Sequence, residues 1–577
     1  MKKIIVYIFI CLTIVLSPSC DDSLRIDERQ TSFDVNYFTY SRYQLTTAIV
    51  NTAQSYGTVP ESDPDRQVTL YFMNCYSGDQ TSTYYTVFQN NWEMKNTNPY
   101  TNQFRTFAAI HKVAEKEGNT ATIAAADILK AFITGFLTEK YGDIPFSEAM
   151  LGREGSLFPK FDSQKEVYES LFALLDNAVS VLSNSSSKGL PADHDVLFNG
   201  DRTKWIKFAN SLKFRLMVHS YEAFKKDGTD LSSQMEAIAS GNNYMNSVAD
   251  NASITFPGTK EGDSWYLQTT WGTGNKYTRP KPTKYLIDQM KEFDDPRMYV
   301  IFAPVLAPLS SKTEQTTEQV KINGFTYDIT YYPVSDPGVQ PGWLTTLGKD
   351  LSGNDADVSY ELDAQWFGTP TPIDIQNTYG GGSHLAGTQF PYDNRRITSF
   401  SKLIAKTKDN RLRAVMMEAS EMMFLLAEAR QKGWISSGTV KNYYEQGIKL
   451  SFERWEIENG TKPATHIGSD KIVDDFAAYY AKPGVALDGS SADLDKIALQ
   501  KWLSLLVTNH AEAFTEVRRT KKPDFVYTLG AAFSSYDFPM RYTYPLDEES
   551  NNRENYDAAV SVLGGKDIPS AKMWIFK

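Results

Sequence analysis

Apolar residues recur at every third or fourth position through much of the chain, the spacing that lines one face of a helix. Residues 101–119 (TNQFRTFAAIHKVAEKEGN) and 121–143 (ATIAAADILKAFITGFLTEKYGD) are two such runs with a Gly-Asn break between them, and together they predict a helical hairpin. Residues 162–184, with Asp162 as cap candidate, and 202–224, after a Ser-rich connection, predict a second pair. Residues 418–434 and 440–460 predict a third, and 494–520 one further long helix. The 418–460 pair carries alanines, a glycine at its turn and Tyr443-Tyr444, as closely stacked helix hairpins of the tetratricopeptide type do. Because the spacing between pairs is irregular, the units are repeat-like.

Between the second and third pairs the pattern changes. From about 242 to 411 the chain is rich in Gly, Pro, Thr, Tyr and Trp, and a helical pattern survives only over 282–298. Long irregular segments within a folded chain are usually functional or disordered, and their aromatic content argues against disorder. The expected fold class is therefore mainly α: a tetratricopeptide-like helical-hairpin scaffold, with long loop and short-strand insertions carrying the ligand site.

The N-terminus has its own logic. MKKIIVYIFICLTIVLSPSC joins two lysines, an apolar run from Ile4 to Leu16 and small residues, the layout of a secretory signal. No later stretch approaches the twenty or so apolar residues of a membrane span. Removal of the signal takes Cys11 with it and leaves Cys20 and Cys75, so a disulfide between them stays open. Cys20 also resembles the acylated cysteine of a bacterial lipoprotein signal, although Ser17 stands where Leu is usual. An ordinary signal with an incidental cysteine is the plainer alternative. Acyl chains at about 0.8 kcal/mol per buried methylene would hold a soluble domain on a membrane.

Composition narrows the partners. A net charge of −11 argues against nucleic acid. Tyr, Phe and Trp make up 13% of the chain, more than a helical core needs, and Tyr and Trp suit half-wet binding surfaces. The six histidines show no His-Glu-x-x-His spacing. GGGSH (380–384) is no nucleophile elbow, and GTGNK (272–276) lacks the spacing of a phosphate loop. Acidic pairs such as Asp294-Asp295 or Asp355 with Asp357 could hold calcium, but no twelve-residue calcium loop is present. No cofactor is expected beyond such a structural or adventitious ion.

Several segments, in order, resemble one family. They are AFITGFLTEKYGDIPFSEAM (131–150), WIKFANSLKFRLMVHS (205–220), FDDPRM (293–298), EASEMMFLLAEARQKGW (418–434), YYEQGIKLSFERW (443–455), QKWLSLLVTNHAEAFTEVRRTKKPDF (500–525) and PMRYTYPLDEESNNRENY (539–556). The mature chain is similar to the SusD/RagB lipoproteins of Bacteroidetes, closest to their starch-binding-associated branch. Where members often have Glu-Ala-Trp followed by Asp-x-Arg-Arg, this chain has Glu512-Ala513-Phe514 and then Glu516, Arg518 and Arg519, so that Phe514 and Glu516 are conservative departures. Asp21-Asp22 after the cysteine look like that group's signal for export to the cell surface.

The resemblance implies residues 1–19 as lipoprotein signal and 20–577 as a single domain. Its helical frame would run over about 34–241 and 412–520, its loop-rich insertion over 242–411, and an irregular C-terminal segment over 521–577. It implies an outer-membrane lipoprotein that binds glycan without turning it over and delivers it to a SusC-like TonB-dependent transporter. A peptide-binding lid is the closer alternative, and a glycoside hydrolase the more remote one.

Most of the shared residues read as structural. Glu512, Arg518 and Arg519 fit a buried ion-pair network bracing the frame, Asp143 and Pro145 a helix-ending turn, and Asn210 and Arg215 similar roles. A pyranose needs flat aromatics for its C–H face and polar side chains for its hydroxyl rim. Three stretches supply both: 75–96, with Tyr84 and Trp92; 260–281, with Asp263, Trp265, Tyr266, Trp271 and Asn275; and 341–350 through 360–384, with Trp343 and Trp366. Trp271, Trp265 and Trp92 are the first candidates, with Asn275 and Asp263 as hydroxyl partners. The plainer reading of any one of these tryptophans is a buried anchor that pins a long loop to the scaffold.

Overall fold

Gly118 and Asn119 end one helix and begin the next. Gly118 takes a left-handed φ of 64° after the helix Gln103–Glu117, and the Asn119 side chain accepts from the Thr122 N–H at the head of the helix Thr120–Tyr141. The first position suits glycine and the second satisfies an orphaned amide, so the predicted hairpin closes here. The computed structural model describes residues 40–57, 68–74, 92, 98–186, 188–259, 280–335, 347–349, 355–357, 361–368, 398–405, 412–524 and 538–577.

The second pair is Gln164–Ser183 with Arg202–Lys226. Ser163, not Asp162, caps the first of these: its hydroxyl accepts from the Glu166 N–H while Glu166 accepts from the Ser163 N–H, a capping box. Asp162 is buried instead and accepts from the Phe146 and Ser147 amides. The third pair, Ala419–Gln431 and Val440–Arg454, packs so closely that a Cβ on Gly447 would lie 2.8 Å from the Phe424 ring. A further helix, Ser41–Gly57, packs against Gln103–Glu117.

The predicted long helix over 494–520 is two helices, Asp493–Ser504 and His510–Thr520. Val507 sits at a φ of 73°, and the Asn509 side chain caps the second helix by accepting from the Glu512 N–H. Positive φ in a β-branched residue breaks a helix outright. Thr120–Tyr141 is also more apolar than the sequence reading allowed, with length and hydropathy enough to cross a membrane, but 78% of its apolar window is buried inside the protein. It is a core helix. One hydrophobic cluster runs from Leu45 through the hairpins to Ile575.

The insertion holds more regular structure than expected. Thr316–Ile322 and Phe325–Pro333 form an antiparallel hairpin, joined by Asn323-Gly324 at φ 50° and 77° and flanked in parallel by Leu309–Ser310. Two consecutive positive φ values in an Asn-Gly pair match the twist of the strands. The region 282–298 divides into Lys284–Glu292 and Pro296–Ile301 because Asp294 is left-handed, Asp295 caps, and Pro296 opens the next helix. The C-terminal segment, expected to be irregular, contains the short helices Leu546–Asn551 and Arg553–Val562.

Candidate functional site

Three of the segments singled out for ligand binding are rooted beside one another. Phe72–Asn74, which leads into the stretch 75–96, pairs antiparallel with Pro280–Pro282, which closes the stretch 260–281: Asn74 faces Pro280 and Phe72 faces Pro282. Gly368 lies so close to the next residue along, Thr283, that a Cβ on it would stand 2.3 Å from the Thr283 carbonyl oxygen. Segment 368–397 is closed at its base, where the Thr398 N–H donates to the Phe367 carbonyl at 2.8 Å and the Phe367 N–H donates to the Thr398 hydroxyl at 2.9 Å. Ser399–Phe400 then pairs with Phe302–Ala303, and the Phe400 ring packs 4.9 Å from Phe72. One base each of the stretches 75–96 and 260–281, and the base of the segment holding the 369–384 part of the third, thus share one patch of frame.

Trp271, Trp265, Tyr266, Asn275, Asp263, Tyr84 and Trp343 lie outside the described residues, as do Cys20 and Cys75. The two other candidates are corrected. Trp92 is 5% exposed, its indole N–H donates to Glu548 Oε1 at 2.7 Å, and Tyr141 and Tyr100 pack on it edge-on at 4.9 and 5.5 Å. Trp366 is 8% exposed and meets Tyr299 edge-on at 5.4 Å. Neither offers an open face for a sugar ring, because each is the anchor that ties an aromatic-rich segment to the core. The acidic pair Asp294-Asp295 is likewise engaged, Asp294 by Lys462 and Asp295 by Arg297.

The shared motifs brace the frame. His219 sits between carboxylates, with Nδ1 2.7 Å from Glu139 and Nε2 3.1 Å from both Glu512 and Glu516. Lys501 donates to Glu512 at 2.8 Å, and the Arg519 guanidinium bridges Glu428 and Glu516 at 2.6 and 2.8 Å. Burial works against a charged imidazole, but Glu512 and Glu139 more than offset it and hold the His219 pKa well above its usual value. Burial also opposes ionisation of Glu512, and Lys501, His219 and Arg215 overcome it, keeping this carboxylate far below the ordinary range. Burial and the nearby Glu512 instead push Glu421 up to about 7. Glu139, His219 and Glu512 place ligand atoms within 4.8 Å of one another, a spacing a metal accepts. Here Lys501 provides the compensating charge, and the constellation is a structural clamp.

The remaining motif residues do similar work. Arg518 donates to the carbonyls of Glu139 and Met540. Arg297 of the Asp-Pro-Arg motif is fully buried, with Nε 2.9 Å from Asp295 and further bonds to Ser451, Gln500 and Tyr479. Asp143 accepts from the Gln164 N–H at 2.8 Å, and Asn210 donates to the Asn243 carbonyl.

Residues 34–336 match a family model described as starch-binding and associating with the outer membrane, and residues 373–576 match the model of SusD and RagB outer-membrane lipoproteins. Among curated proteins there is no match. Solved structures share the fold along nearly their whole length. A SusD homolog of Bacteroides fragilis is 21% identical with a TM-score of 0.68, covering 93% of this chain and 100% of its own. One of Bacteroides uniformis is 22% identical with a TM-score of 0.64, covering 93% and 99%. A chitin-binding SusD homolog of Flavobacterium johnsoniae is 20% identical with a TM-score of 0.63, covering 93% and 98%.

Proposed function

From the premise that the chain belongs to the SusD/RagB family of outer-membrane lipoproteins, we propose that it captures glycan and passes it to a SusC-like TonB-dependent transporter. In this reading acyl chains on Cys20 hold it at the cell surface. The ligand is gripped by the stretches 75–96, 260–281 and 341–384, with Trp271, Trp265 and Tyr266 stacking on sugar rings and Asp263 and Asn275 taking hydroxyls.

The observation that carries the reading is the convergence, at Asn74, Pro280, Gly368 and Thr398, of the bases of 75–96, 260–281 and the segment holding the 369–384 part of the third stretch. Segments that leave one patch of a rigid frame can present their aromatic rings to a single extended ligand. Stacking on C–H faces with a polar rim binds without chemistry, and the proposal assigns no turnover; His219, Lys501, Glu512 and Glu516 engage one another within the frame. The test is a glycan array on the mature chain, followed by calorimetry of wild type and Trp271→Ala. A saccharide that binds, returns chemically unchanged and is weakened about tenfold by the substitution, or about 1.4 kcal/mol, supports capture. Binding of peptides and of no saccharide would overturn it.

A further inference from the structure

One buried residue touches the bases of 75–96, of 260–281 and of the segment holding 369–384. Thr283 is fully buried and follows the strand Pro280–Pro282, which closes the stretch 260–281. Its N–H donates to the Tyr71 carbonyl at 3.1 Å and its hydroxyl to the Leu70 carbonyl, just before the strand that leads into 75–96. Its own carbonyl lies against Gly368, where a Cβ would stand 2.3 Å from the oxygen, 2.5 Å from the carbon and 2.6 Å from the next Cα, that of Lys284. The same hydroxyl accepts from the Leu286 N–H at 3.2 Å and so caps the helix Lys284–Glu292, fastening the group to the frame.

The first base has little freedom to adjust. Leu70 stands at a φ of 58°, a left-handed conformation that a leucine keeps only where its surroundings impose it. On either side of it, Tyr71 stacks on Trp502 at 4.8 Å and the Thr69 carbonyl accepts from the Trp502 indole N–H at 2.9 Å. Phe400, two residues past Thr398, packs 4.9 Å from Phe72 and joins the far end of the third segment to this base.

The close approach of Gly368 is backbone against backbone at a helix start, so no side chain can swing aside to relieve it. A methyl there would force the segments apart by on the order of 1 Å, beyond the roughly 0.5 Å within which a binding constellation has to be held. Spacing matters most to a ligand that bridges separate segments, because joint engagement is lost when geometry forbids it. A ligand short enough for one segment does not read the spacing at all.

We propose that Thr283 and Gly368 are positioning residues that set the spacing of the three segments and thereby select glycan by length. This rests on the reading that the segments grip one ligand, and neither residue is assigned a contact with it.

Hydrogen–deuterium exchange of the ligand-free mature chain tests the mount without any ligand. Gly368→Ala should speed exchange about tenfold, and together, in peptides spanning 68–74, 280–286 and 398–400, while the helices Gln103–Glu117, Thr120–Tyr141 and Ala419–Gln431 keep wild-type rates. Calorimetry then follows maltooligosaccharides and chitooligosaccharides of increasing length from the disaccharide. In a series that binds the wild type, Gly368→Ala should weaken the longest member about tenfold and the shortest one that binds by about twofold or less. Thr283→Val, which removes the hydroxyl, should reproduce both effects, and Thr283→Ser, which keeps it, should restore wild-type behaviour. Faster exchange confined to 366–368 overturns the proposal, as does equal weakening of long and short ligands, the outcome of a merely structural role. A wild type that binds no member of either series overturns length selection together with the glycan reading, and the exchange result then decides separately whether the two residues hold the bases.

Discussion

Replacing Glu512 by Gln tests whether the buried charge clamp holds the hairpins together. The side chain keeps its shape but loses its charge, leaving Lys501 at 2.8 Å, His219 at 3.1 Å and Arg215 at 3.8 Å short of one counter-charge. Breaking a buried pair from one side costs about 3–5 kcal/mol. For a chain of 577 residues the unfolding entropy near Tm is about 1.2 kcal/mol per kelvin, so the expected drop is only about 2.5–4 °C. Scanning calorimetry resolves that, and pH provides a sharper signature. The folded pKa of His219 lies above its unfolded value of 6.5, so its stabilisation is complete below pH 6.5 and fades as pH rises through the folded value. Glu512 and Glu516 have folded values below 4.5, so their stabilisation is complete above pH 4.5 and is lost as pH falls through those values. Glu512→Gln should flatten both limbs, and adding Lys501→Met, which removes the stranded cation, should recover half or more of the lost Tm. A single variant within 1 °C of wild type and with an unchanged pH profile would refute the clamp.

Trp92→Ala should lower Tm by a similar amount, since it removes a buried ring at about 3–5 kcal/mol, and leave saccharide affinity in calorimetry unchanged, because the ring is an anchor. Gly447→Ala places a methyl 2.8 Å from Phe424 and should cost about 1–3 kcal/mol in denaturant midpoint. Asp474 has a folded pKa raised to about 6 from 3.8, so its contribution to stability falls as pH rises from about 4 to about 6 and is flat above. Asp474→Asn should remove that slope from a Tm-against-pH series.

The helical hairpins were legible because each one repeats a 3.6-residue pattern and carries its own stops, as Gly118 and Asn119 do. The division of 494–520 was not, because LLVTNHAEAF keeps helical spacing through the break, and only tertiary packing puts Val507 at positive φ. Asn323-Gly324 was a readable hairpin signal in a region treated as loop. Ser163 was passed over for its acidic neighbour, although Glu166 three residues on completes a capping box. For the site, the sequence pointed to aromatic-rich stretches but could not tell Trp92, which finds Glu548 more than 450 residues away, from a ring left open. Such a partner is set by topology and leaves no local mark.

The closure of segment 368–397 by Phe367 and Thr398 bears on how much change such a scaffold tolerates. The entropy of tying the ends of a segment grows only with the logarithm of its length, about 0.6 kcal/mol per doubling. Once two hydrogen bonds and the Ser399–Phe400 pairing fix the base, lengthening or rewriting what lies between them hardly loads the frame. Insertions and wholesale sequence exchange there are nearly neutral for folding, while a single change in the clamp around His219 is not. The same architecture invites grafting: a foreign segment spliced between Gly368 and Thr398 inherits a ready-made mount, and what it carries can be altered without rebuilding what holds it.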